Sequence, residues 1–145
     1  MIVPQEIYHP LYTDTEKFII LITGGRGSGK SFNASTFIER LTFEMTPVEK
    51  IVHQILYTRY TMVSAGMSII PEMMEKIDLD GTTKYFKTTK TDIVNKMTKS
   101  RIMFRGIKTS SGNQTAKLKS IQGITTFVCD EAEEWTSEDE FDKIM

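Results

Sequence analysis

Cysteine is almost missing from this chain: Cys129 stands alone among 145 residues. A single thiol excludes an internal disulfide framework and a cysteine-built zinc site, and fits a reducing compartment. His9 and His53 are the only histidines, too few for a histidine-rich metal centre, and His53 reads as structural. Long apolar runs are missing too. The longest, residues 18–22, falls far short of the ~20 residues that span a bilayer. No basic stretch precedes an apolar one at the start, so no secretory leader is expected and the chain reads as soluble and intracellular, without membrane contact. Asn33 and Asn113 head glycosylation sequons that then carry no meaning. What is present is ordinary for a globular domain: 39% hydrophobic and 26% charged residues. A chain of this length buries about two-thirds of its unfolded surface, enough for a core without staples.

Positive and negative charge nearly cancel, at a net −1, but they are unevenly placed. Residues 130–145 carry eight acids and one base, a net −7, which leaves +6 on residues 1–129. Residues 84–119 carry ten bases against the single acid Asp92, a net +9. Such a window is a candidate anion-binding surface, with a solvated lysine-rich face as the plainer reading.

Elements follow from pattern. The apolar run 17–23 ends in glycines and predicts a strand buried on both faces. Ala34, Phe37, Ile38, Leu41 and Met45 recur on one helical face, predicting a helix over 31–45 that Thr46-Pro47 stops. Residues 51–57 read as a second strand. Residues 61–77 read as partly helical, with Met67, Ile70, Met74 and Ile77 on one side and Pro71 near a boundary. Stretch 82–91 is loop or edge strand. Residues 92–94 and 101–104 flank a polar turn and predict a hairpin, 106–117 a mobile loop, and 124–129 another strand. The expected fold is α/β, a mainly parallel sheet with flanking helices and a hairpin insertion.

The chemistry concentrates in two places. Gly24, Gly25, Arg26, Gly27, Ser28, Gly29, Lys30 and Ser31 match G-x-x-x-x-G-K-[ST], the P-loop or Walker A pattern. Its glycines let successive backbone N–H groups turn toward one anion, and the following helix adds its positive end. Lys30 is the charge for the β- and γ-phosphates, and Ser31 a Mg²⁺ ligand. A strand before and an amphipathic helix after are the context that separates this motif from a chance glycine-rich turn. The second place is Phe127-Val128-Cys129-Asp130-Glu131, two carboxylates at the C-terminal end of a strand, where ligands of open α/β sheets bind. Asp130 would hold Mg²⁺, usually through water, and Glu131 would act as base toward an attacking water. An acidic helix start is the plainer alternative. The Asp-Glu order favours an NTPase over a small-molecule kinase.

Together with Arg101–Gly106, Leu118–Gly123 and Cys129–Glu134, the Gly24–Ser31 loop resembles the large terminase subunit of tailed bacteriophages, from about Tyr8 to Met145. The resemblance implies a P-loop ATPase domain that uses ATP and Mg²⁺ to pump double-stranded DNA into a procapsid. It further implies a ring of subunits at the portal protein, a small terminase subunit that recognises viral DNA, and action in the host cytoplasm. Arg26 sits where the family also carries an arginine and is expected to contact or sense the γ-phosphate. The family often supplies a basic residue in trans from the segment before the Asp-Glu pair. Lys117 and Lys119 stand there in this sequence, and a lysine lacks the planar fork of an arginine. Lys96, Lys99 and Lys108 are the expected contacts to DNA or a neighbouring subunit. Tyr8, Pro10 and Tyr12 lie where adenine often packs, though simple packing explains aromatics there equally well.

A coupling motif and a nuclease domain would follow in the family, and the sequence stops within an expected helix, Ser137–Met145. The expectation is therefore that residues 1–145 are the N-terminal part of a P-loop ATPase domain, incomplete at its C-terminus. Two other classes stay open at this point: another P-loop enzyme such as a helicase-like ATPase or a kinase, and a nucleotide-binding module without turnover.

Overall fold

The computed structural model describes residues 1–14, 19–25, 27–44, 52–61, 69–108 and 123–131. A 3-10 turn (Glu6–Tyr8) and a short helix α1 (Pro10–Thr13) open the chain, followed by α2 (Lys30–Leu41), β1 (Gln54–Thr61) and α3 (Ile70–Leu79). Then come β2 (Phe86–Thr88), β3 (Asp92–Asn95), β4 (Arg101–Lys108) and β5 (Thr126–Cys129). The five strands form one sheet in the order β2-β3-β4-β1-β5. β4, β1 and β5 run parallel; β3 lies antiparallel to β4, forming the hairpin expected over 92–104, and β2 joins β3 antiparallel as the edge strand, so the sheet is mixed. This is the α/β sheet with a hairpin insertion that the pattern predicts.

Alternation along the strands decides where the core sits. Ile55 lies opposite Ile102, Tyr57 opposite Phe104, and Ile93 opposite Ile102, so these side chains share one face. That face meets Ile38 of α2 together with Ile69, Met73 and Ile77 at and along α3. Met73, Ile77, Ile55, Ile93, Ile102 and Phe104 are fully buried there. The helices therefore lie side by side over the sheet. Pro71 falls in the first turn of α3, where a missing N–H costs nothing. The helix ends in a Schellman motif: Gly81 takes φ 76°, its N–H bonds Asp78, and the Thr82 N–H reaches back to Ile77.

Several elements differ from the pattern. Residues 19–25 form no strand, and Ile19, Ile20 and Leu21 are 73%, 48% and 83% exposed. A continuous apolar run signals fitness for burial but does not name the edge that receives it, and 19–25 pair with none of the five strands. The first long helix stops at Leu41, well before Pro47. Its end is set from outside: the Thr42 hydroxyl donates to the Glu39 carbonyl, while Asn95 and Thr98 of the β3–β4 turn bond Thr42. The strand expected from residue 51 begins at Gln54 and runs on to Thr61, and β4 runs on to Lys108, into the expected loop. The rest of that loop, Met45, Met67 and the expected helix 137–145 lie outside the described residues. Among those described, no helix is long and apolar enough to cross a membrane.

Candidate nucleotide site

The Gly-rich turn and α2 build the first wall. Gly24 takes φ 152°, and a Cβ there would come within 2.8 Å of the Ser28 hydroxyl, so the loop closes only with glycine at that point. Gly27 and Gly29 take left-handed φ values of 75° and 79°, and Gly29 is the N-cap of α2. Gly29 brings no side chain to cap this helix. The N–H groups of its first turn and its positive end are therefore open to an anion. Lys30 opens the helix, and its ammonium rests on the Gly25 carbonyl at 3.2 Å. Tyr8 braces the loop from the N-terminal segment, its hydroxyl donating to the Ser28 carbonyl at 2.9 Å.

The second wall comes from a hundred residues later. Glu131 lines one cavity of about 340 Å³ with Gly25, Gly27, Ser28, Gly29, Lys30, Ser31 and Phe32. Two sequence motifs far apart in the chain thus meet, and they meet at the C-terminal end of the parallel strands. Glu131 is held at φ 51° in the left-handed region, which costs a side chain of its type roughly 1–2 kcal/mol and is concentrated at functional sites.

Asp130 does not line this cavity. It continues β5 beside β1, its N–H bonded to the Thr58 carbonyl, and its carboxylate turns to Arg59. Arg59 Nε donates to Asp130 Oδ2 at 2.7 Å, and its Nη2 lies 3.4 Å from Glu131 Oε1. Arg59 is only 7% exposed and shares the helix-facing side of β1 with Ile55 and Tyr57. Opposite it in the register is Gly106, which places no side chain beside the guanidinium. Burial opposes the guanidinium's charge, but the Asp130 hydrogen bond and the two carboxylates outweigh it and hold the arginine above its ordinary value. The sequence reading missed Arg59. The available signal was a single charge within the strand Gln54–Thr61, whose other residues are uncharged.

The residues fit a phosphate tail with a hard divalent ion. The glycine cradle, the Lys30 ammonium and the helix start suit phosphates, while the Ser31 hydroxyl and Asp130 are oxygen donors of the kind Mg²⁺ takes. No group of three or more His, Cys, Asp or Glu side chains converges among the described residues. Arg26, Lys117 and Lys119 lie outside the described residues, as does the side chain of Lys108. Tyr12 packs edge-on against Phe37 with ring centroids 5.6 Å apart, and Arg40 lies over its ring, so it serves as packing.

Among the described residues, the basic window is split between two ends of the sheet. Lys96 and Lys99 lie in the β3–β4 turn and Lys84 just before β2, all exposed, at the end of the sheet where β1 and β4 begin. Lys108 ends β4, opposite Thr61 of β1. Seven strand residues at ~3.3 Å put about 23 Å between Arg101 and Lys108, so Lys96, Lys99 and Lys108 cannot act as one patch. Asp92, the window's acid, is already neutralised by Arg105 at 2.9 Å and Arg101 at 3.4 Å.

None of the curated proteins matches this chain. A family profile described as phage terminase large subunit matches residues 16–145, which include both walls of the cavity and the whole sheet. The chain belongs to the phage terminase large subunit family.

Proposed function

We propose that this chain carries the ATP-hydrolysing site of a packaging motor that drives double-stranded DNA into a procapsid. The observation that carries the reading is the meeting of Glu131 with the Gly25–Phe32 loop around one cavity. The loop amides and Lys30 hold the β- and γ-phosphates, and Lys30 leaves the Gly25 carbonyl to do so. Ser31 and Asp130 hold Mg²⁺, which when bound spreads and neutralises phosphate charge. Glu131, on the cavity wall, accepts the proton of the attacking water as the water oxygen bonds the γ-phosphorus and the bond from that phosphorus to the β–γ bridging oxygen breaks, releasing ADP. Tyr8 keeps the loop in shape from the N-terminal side. Arg26 contacts the γ-phosphate, and Lys117 or Lys119 acts toward a neighbouring subunit in a ring at the portal, with the small subunit delivering viral DNA in the host cytoplasm.

The duplex is met by the exposed Lys84, Lys96 and Lys99 at the far end of the sheet. They lie away from the nucleotide cavity, so their charge is available to a second polyanion, and contact with phosphates alone suits a motor indifferent to sequence. The test is steady-state ATP hydrolysis with Mg²⁺, with and without duplexes of unrelated sequence. Hydrolysis raised by every duplex alike is expected. Nucleotide binding without turnover under all conditions would overturn the motor reading and leave a binding module.

A further inference from the structure

Asp130 is the carboxylate best placed by sequence to meet a divalent cation, yet its carboxylate is spent on Arg59 Nε at 2.7 Å. The same guanidinium reaches Glu131 at 3.4 Å. One buried cation thus holds both carboxylates, in a register where Gly106 leaves it room. A guanidinium and a hard divalent ion compete for the same carboxylate oxygens, because each needs their lone pairs and each neutralises their charge.

We propose that Arg59 is a positioning residue that occupies Asp130 in place of the metal and gives it up when Mg²⁺-nucleotide arrives. The inference rests on the nucleotide reading above. Once Asp130 is released, Arg59 keeps its hold on Glu131 and fixes that carboxylate on the cavity wall. Arg59 also opposes metal binding when no nucleotide is present, since phosphate oxygens must then add to the ion's ligands before the exchange is favourable. Removing Arg59 should therefore have two opposite effects. The site takes Mg²⁺ more readily, and turnover falls because Glu131 loses its anchor. A residue that merely supports the fold would weaken both.

The test compares the unmodified chain with Arg59→Met, which keeps the stem, and Arg59→Lys, which keeps a charge without the fork. Thermal melts are run in EDTA and in Mg²⁺ alone, and binding of a fluorescent non-hydrolysable ATP analogue is titrated with Mg²⁺. In Mg²⁺ alone, Arg59→Met should gain melting temperature while the unmodified chain barely moves. Its half-saturating Mg²⁺ for the analogue should fall by about tenfold, the scale of one charge-assisted hydrogen bond. Arg59→Lys should lie between the two, and it supplies the same comparison if Arg59→Met does not fold. An equal or higher Mg²⁺ requirement in the variant that folds overturns the proposal. If the unmodified chain binds no analogue in Mg²⁺, the nucleotide reading fails, and the melts in Mg²⁺ alone still decide whether Arg59 excludes the ion.

Discussion

At the scale of single residues, the far end of α2 holds a second charged cluster with a consequence for stability. Glu39 is fully buried, with Thr82 donating to its Oε1 at 2.6 Å and, among the described residues, no donor to its Oε2. Burial, and then the hydrogen bond a protonated Glu39 makes to Asp80, push its carboxyl up to about 8. Asp80 goes the other way. Burial opposes its ionisation, but hydrogen bonds from Arg40, Glu39 and the Ile2 amide pull it down to about 2. A buried carboxyl with a raised value is most stabilising while protonated in both states. As pH rises past the unfolded value of about 4.5, the unfolded chain ionises first and stability is lost until about pH 8. Melting temperature should thus fall between pH 5 and pH 8, and Glu39→Gln, neutral at every pH, should flatten that fall. Equal slopes in both proteins would mean that Glu39 is ionised in the fold.

At the scale of elements, α3 is held to the sheet chiefly by Met73 and Ile77, both fully buried in the core. Met73→Ala should cost about 2–5 kcal/mol in chemical denaturation, whereas Leu79→Ala, at a half-exposed position, should cost well under half of that. A small effect at Met73 would mean that α3 does not bear on the core. These elements also show what was legible in the sequence. The loop Gly24–Ser31, the hairpin and the β5 carboxylates were readable because local pattern and turn chemistry specify them. The fate of residues 19–23 was not, because apolar content does not name a pairing edge. The end of α2 was not either. It is set by Asn95 and Thr98, more than fifty residues away, through bonds to Thr42. Arg59 escaped because its meaning lies in its partners, Asp130 and Glu131, which reach it only through the β1–β5 register.

At the scale of the whole molecule, the sheet separates the two regions that the proposed function assigns to anions, the Gly25–Glu131 cavity at one end and exposed lysines at the other. Charge reversal at Lys84, Lys96 and Lys99 should weaken binding to every duplex alike and flatten log affinity against log salt by about one unit per lost contact. The same change at Lys108 is made separately, since it lies at the opposite end of β4 and belongs to a different contact. An unchanged salt slope in the triple variant would return those lysines to a solvated face. The central claim concerns the cavity, where Lys30 binds phosphate and Glu131 works on water. It is tested most directly by measuring Mg²⁺-ATP binding and hydrolysis in Lys30→Ala and Glu131→Gln. Lys30→Ala should lose affinity. Glu131→Gln should bind ATP as the unmodified chain does and hydrolyse it about 10²–10⁴-fold more slowly, the scale of a lost general base. Hydrolysis by Glu131→Gln at the unmodified rate would contradict the account.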